Sequence, residues 1–181
     1  DNPQQIEQAF QQAMAEADVL ITSAGVSVGD ADYTRQILHK LGQIDFWQVA
    51  IKPGKPFAFG QLQGCWFFGL PGNPVAAVVT LEQLVQPVLR KLSGEVAATA
   101  TQTWQAQTMV DLKKQPGRQD FQRGWFWQDA DGLKVKTLGV QSSGMLSSIA
   151  NANCYIVLAA DNAGVQSGDI VTILPFSALL R

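Results

Sequence analysis

Lys52 and Lys55 stand on one short turn, Lys52-Pro53-Gly54-Lys55-Pro56, where prolines limit the freedom of both cations. Two lysines held together this way suit an anion. A second stretch, Thr22-Ser23-Ala24-Gly25-Val26-Ser27-Val28-Gly29-Asp30-Ala31-Asp32, offers a different kind of anion chemistry. Gly25 and Gly29 permit close backbone approach, Ser23 and Ser27 bring hydroxyls, and Asp30 and Asp32 bring carboxylates that beside a phosphate would suit Mg²⁺. A third, Gly69-Leu70-Pro71-Gly72-Asn73-Pro74, closes an apolar run and opens a helical pattern. Asn73 fits the N-cap and Pro74 the first helical position, so the backbone N–H groups and positive dipole end of that helix would face a bound anion. Each piece also has a plainer reading. Either aspartate can simply cap a helix, surface lysines are usually solvated, and strand-turn-helix is ordinary construction.

The elements that must position these loops follow from periodicity. Ile6, Phe10 and Met14 recur every four residues, which predicts an amphipathic helix over 3–16, and Val19 to Ile21 read as a buried strand. Tyr33, Ile37, Leu38 and Leu41 predict a second helix, capped by Asp30 or Asp32 and stopped by Gly42. Strands are expected over 46–51, 57–59 and 66–68, with 61–64 as a hairpin connection. A helix from Pro74 to about Leu92 should kink near Gln86, because Pro87 removes a ladder bond. This alternation predicts an α/β domain over 1–94 with a mostly parallel sheet. Its ligands would gather outside the carboxyl ends of strands, where the loops meet. Residues 95–103 are small and polar and read as a linker. Over 104–181 helical periodicity fades, and strand candidates at 105–112, 122–128, 133–138, 154–159 and 169–174 predict a small β-barrel-like domain.

Composition narrows the function classes. The net charge is −2 with no basic stripe, which excludes nucleic acid as the expected partner. No apolar run is long enough to span a membrane, and the first dozen residues are too polar for a signal peptide. Cys65 and Cys154 sit apart within apolar runs, as buried thiols do, and a cytoplasmic location is expected. The chain begins at Asp1 without an initiator Met, as a piece of a longer protein would. His39, the one histidine, has no evident catalytic partner. Arg118 and Arg123 flank Asp120 and Phe121, for which a structural salt bridge or strand-edge charge is the default reading. Trp66, Trp125 and Trp127 read as core or interface.

The three loops in this order, with Asp120-Phe121-Gln122-Arg123-Gly124 in the β-rich tail, resemble the C-terminal part of the molybdopterin molybdenumtransferases, the family that includes the C-terminal domain of gephyrin. The resemblance covers nearly the whole chain. It implies part of a three-layer molybdopterin-binding α/β domain followed by a small β domain. It also implies an activity: Mg²⁺-assisted insertion of molybdate into adenylated molybdopterin with release of AMP. Asp32 matches the family's functional aspartate, acting through the metal or the phosphate. Lys52 and Lys55 match lysines that attract molybdate and the ligand's anionic groups, and Ser143 matches more loosely a serine near the oxyanion. Ser23, Gly25, Ser27, Gly29, Pro71, Gly72, Asn73 and Pro74 would hold the ligand. The family commonly has paired glycines where this chain has Ala24-Gly25. The family enzyme carries further N-terminal parts and completes its site across a homodimer, so this chain alone is expected to be inactive; molybdopterin adenylyltransferase is a candidate partner. Two alternatives are an adenylyltransferase, which would normally lack such a tail, and a gephyrin-like interaction module.

Overall fold

The structure, a computed structural model, describes residues 2–24, 32–95, 102–139 and 141–176, and only the backbone of residues 32, 33, 35, 46 and 47. It divides into two compact units, Asp1–Val49 with Gly54–Val88, and Ala50–Pro53 with Leu89–Arg181.

The first unit opens with α1 (Pro3–Glu16), whose first turn is capped by the Asn2 side chain accepting from the Gln4 N–H at 2.9 Å. β1 (Val19–Ser23), α2 (Asp32–Leu41), β2 (Gln43–Gln48), β4 (Pro56–Leu62), β5 (Cys65–Leu70) and α3 (Pro74–Thr80) follow. The intervening strand β3 (Ile51–Lys52) belongs to the second unit. The sheet order is β1-β5-β4-β2. β1 runs parallel to β5, while β4 is antiparallel to both β5 and β2. The expected parallel pairing therefore holds at β1–β5 and gives way to antiparallel pairing across the rest of the described sheet. The cause is local, because Gln63 and Gly64 (φ 50° and 98°) join β4 to β5 by a two-residue turn that can only reverse the chain. Gly42, expected as a helix stop, serves a second need: a Cβ there would run into the Gln61 carbonyl of β4. Phe10, Leu38, Leu41, Ala58, Leu62 and Phe67 form the core under the helices, with the Phe10 and Phe67 rings edge to face at 6.2 Å.

Beyond α3 the helix widens into a π-helical turn over Leu81–Val85 and resumes as α4 (Gln86–Leu92). The Gln86 N–H reaches back to the Leu81 carbonyl, five residues away, immediately before Pro87. A wider turn is one way to accommodate the proline's missing donor, so the expected irregularity falls at the expected place.

The second unit is built from β3, β6 (Trp104–Thr108), β7 (Gln119–Asp129), β8 (Gly132–Thr137), the short helix α5 (Ser147–Ala150), β9 (Cys154–Leu158) and β10 (Ile170–Pro175). The order β7-β8-β6-β10-β9 closes through the β7–β9 pairing, giving a five-stranded barrel. Ala106, Val135, Cys154, Ile156, Val171 and Ile173 fill it. Burial pushes the Cys154 thiol up to about 12, so it packs there as a neutral small hydrophobe. All five strand regions expected in the tail occur. The 46–51 strand does not survive as one element, because β2 ends at Gln48 and Ile51 pairs with Gln119 of the barrel. The expected 1–94 domain therefore has Ala50–Pro53 grouped with the tail. Among the described residues no helix is long and apolar enough to cross a membrane.

Candidate functional site

In the first unit, register brings three of the singled-out segments to one end of the sheet. Ser23 lies opposite Leu70, Ala58 opposite Gly69 and Gln48 opposite Pro56. The ends of β1 and β5 and the start of β4 therefore coincide, carrying Ser23, Pro71 and the exposed Lys55. The first and third loops touch: the Ala24 N–H donates to the Leu70 carbonyl at 3.1 Å and Ser23 Oγ donates to the Pro71 carbonyl at 3.5 Å. Ala24 has φ 74°, the left-handed region that a Cβ disfavours, and a Cβ added to Gly72 would stand 3.3 Å from its own. Asn73 occupies the N-cap position with its carbonyl accepting from the Ala77 N–H at 2.9 Å, and Pro74 opens α3. The expected side-chain cap is absent. Asn73 has a further interaction of its own, but its side chain makes no cap hydrogen bond to the first-turn amides. Asp32 is the first residue of α2 as described, not its cap. Gly25, Ser27, Gly29, Asp30 and the Asp32 carboxylate lie outside the described residues.

The second unit contains a cavity of about 270 Å³, lined by Lys52, Lys113, Gln122, Arg123, Asp120 and Gln141 among others. It sits at a gap in the β7 edge. Asp120 pairs with Leu158 of β9 and with Lys52 of β3, so β3 lies on the edge opposite β9. β8 takes up that edge from Gly124 onward, with the Leu138 N–H beyond its end donating to the Arg123 carbonyl at 3.2 Å, which leaves residues 121 and 122 between the two strands. Lys52 Nζ stands 3.5 Å from Asp120 Oδ2, with the lysine side chain 47% exposed and the aspartate 3%. The lysine's charge is therefore only partly committed. Arg123 is 1% exposed, and its Nε donates to Ser148 Oγ at 3.2 Å and its Nη2 to the Ser142 carbonyl at 3.1 Å. Among the described residues no ion pair to Arg123 occurs. Burial lowers its pKa from the ordinary guanidinium value, opposed by Tyr155, yet a guanidinium remains charged at neutral pH. Three cations and two carboxylates line the cavity, since Asp111 and Lys113 join Lys52, Asp120 and Arg123. A buried cation without a carboxylate partner raises the potential at its wall, which favours a small oxyanion.

The expected salt bridge or strand-edge charge at Arg123 is not what the fold makes of it: the side chain is buried and bonded to Ser142 and Ser148. Residues 120 and 123 are an odd number apart on one strand, so their side chains leave opposite faces, and Asp120 pairs with Lys52 instead. The structure buries all of residues 120–124, including Asp120, Gln122 and Arg123, which their polar types do not announce. Ser143 adjoins Ser142 but is not among the residues lining the cavity. Lys52 and Lys55 fall in different units. His39 lies exposed near the end of α2. Trp125 is exposed on the barrel, while Trp66 stacks on Phe59 with ring centroids 5.6 Å apart.

Residues 1–91, half of the chain, match the family described as a probable molybdopterin binding domain. The chain belongs to that family. Residues 105–176 match the MoeA C-terminal region (domain IV), so both parts of the resemblance read from the sequence hold. The molybdopterin molybdenumtransferase of Haemophilus influenzae is 49% identical over 181 residues, covering 99% of this chain and 45% of the relative. The enzyme of the same name from Nostoc sp. is 37% identical over 180 residues, covering 96% and 41%. A solved structure of the molybdopterin biosynthesis MoeA protein from Pyrococcus horikosii superposes with a TM-score of 0.78 at 22% identity, over 98% of this chain and 42% of that one, a likeness of fold. The chain thus spans less than half the length of these relatives.

Proposed function

We propose that this chain is the molybdate-handling part of a molybdopterin molybdenumtransferase in molybdenum cofactor biosynthesis, inserting molybdate into adenylated molybdopterin with release of AMP. The observation that carries the reading is a cavity lined by both the buried Arg123 and the partly committed Lys52, in a chain whose relatives are named for this transfer. Molybdate and a phosphorylated ligand repel each other, and a site that holds both must lower the potential between them. Lys52 and Arg123 are assigned to the oxyanion, with Ser143 next to the Ser142 carbonyl that holds Arg123, and Lys55, in the first unit, to the ligand's own anionic groups. The ligand's phosphate is received at the first unit's sheet end by Ser23, Gly25, Ser27, Gly29 and the Pro71-Gly72-Asn73-Pro74 turn, with the amides of α3 facing it.

Mg²⁺ would assist through Asp32. Among the described residues no three carboxylates, imidazoles or thiols gather around a metal, and the Asp32 carboxylate lies outside them. When bound, the ion would neutralise phosphate charge. The protein acts as a cytoplasmic homodimer. The match of residues 105–176 to the MoeA C-terminal region supports this reading over an adenylyltransferase.

The test is molybdate-dependent AMP release from adenylated molybdopterin by the full-length protein. Lys52→Ala and Lys55→Ala should each raise the molybdate concentration needed for half-maximal rate. Wild-type dependence in both would sink the assignment.

A further inference from the structure

We infer that Gln141 is a positioning residue that sets where the Arg123 charge stands at the cavity wall; this rests on the reading of that wall as the oxyanion site. Where β8 ends beside β7, the Arg123 carbonyl accepts from the Leu138 N–H at 3.2 Å, and the Gln141 side chain binds both backbone groups of the same residue. Oε1 accepts from the Arg123 N–H at 2.8 Å, and Nε2 donates to the carbonyls of Arg123 and Leu138, each at 3.2 Å. A carboxamide has one acceptor and two donor hydrogens, and here both hydrogens and the oxygen are in use. Turned over, its NH₂ would meet the Arg123 N–H and its oxygen would meet two carbonyls, so the neighbours fix its orientation. Although Gln141 lines the cavity, it has no donor left for a ligand, and its influence must pass through Arg123.

The same residue begins the segment that holds the other end of the arginine. Ser142 supplies the carbonyl for Nη2 and Ser148 the hydroxyl oxygen for Nε, the Ser148 hydrogen being committed to the Met145 carbonyl at 2.6 Å. The Gln141 amide, together with the Leu138 N–H, thus fastens the Arg123 backbone to the chain that grips its head. Without the amide the Arg123 backbone keeps only the Leu138 N–H on this side, which donates to its carbonyl at 3.2 Å, so the strand is held less firmly against this segment and the charge can shift with it.

The experiment is calorimetric titration of the full-length protein with molybdate alone, in wild type, Gln141→Met, Arg123→Met and the double variant. Methionine keeps the length of glutamine and removes its hydrogen bonds. Gln141→Met should weaken molybdate binding about tenfold, the scale of one disturbed charge-assisted contact. With Arg123→Met already present, the same change should shift affinity by less than about twofold, because there is no charge left to position. Equal losses in both backgrounds would make Gln141 a general structural residue and overturn the inference, as would unchanged binding in Gln141→Met. Wild-type affinity in Arg123→Met is a separate failure, since it removes the oxyanion site itself. If Gln141→Met melts well below wild type, Gln141→Asn, whose amide falls one methylene short, is read in the same two backgrounds with the same expectation of non-additivity and a smaller loss.

Discussion

The sheet end of the first unit and the cavity of the second are built from opposite materials. At the sheet end, Ser23, Ala24, Pro71 and Gly72 bring small side chains and main-chain groups into close contact. At the cavity, charged side chains line the wall, and two of them, Asp120 and Arg123, are almost wholly buried. A backbone site tolerates any residue that fits the chain's path. A side-chain site depends on the identity of each residue and on whatever holds it. The first should therefore fail through crowding and strain, the second through lost charge.

Arg123→Met gives the sharpest break. It should reduce molybdate-dependent AMP release by about 100-fold or more, the usual scale for removing a preorganised electrostatic group, while the melting temperature changes little. A variant within about threefold of wild type would leave the cavity no better placed than the sheet end.

The barrel's reluctance to bury ionised groups gives the next effect. The Cys154 thiol titrates near 12 when folded and at 9.0 when exposed. Between those values the unfolded chain has lost a proton that the folded chain keeps, so stability falls as pH rises, by up to about 1.4 kcal/mol per unit. Below pH 9 the group contributes no slope. Denaturant unfolding of wild type and Cys154→Ala from pH 8 to 10 should show a steeper decline in wild type; parallel curves would contradict it.

Lys52→Ala should raise the half-saturating molybdate concentration about tenfold, and the difference from wild type should shrink in high salt, because a half-exposed ammonium is screened. The smallest effect belongs to the backbone site. Gly72→Ala should destabilise the protein by about 1 kcal/mol through contact with the Ala24 Cβ, and Ala24→Gly, which also relieves a positive φ, should abolish that loss. If Gly72→Ala costs the same in both backgrounds, the two loops do not meet as described.

The sequence made the elements readable wherever a periodic pattern was long enough. α1 was legible from Ile6, Phe10 and Met14, and the break before Pro87 from the proline's missing donor. β3 was hidden because an apolar stretch at 46–51 says nothing about which sheet each end joins, and Ile51 pairs with Gln119, far along the chain. Parallel pairing was overestimated because alternating elements suggest it, while the two-residue turn at Gln63-Gly64 overrides it locally. Lys52 stands out in the sequence as a candidate anion contact because of its turn, and the role remains a proposal. Arg123 does not stand out, because an arginine in a strand usually faces water. What marks this one as different, Gln141 and Ser148, sits on another segment and meets it only after folding.

The short excursion of Ala50–Pro53 into the barrel also bears on recombination. A chimera of two relatives joined in the 95–103 stretch, the natural-looking breakpoint, would take Lys52 from one parent and Asp120, Arg123 and Gln141 from the other. The cavity wall would then be assembled from parts never selected together. Inheritance of this site should follow the ladder from Lys52 to Asp120 and not the boundary drawn by composition, so shuffled enzymes that keep both parental segments should outperform those that divide them.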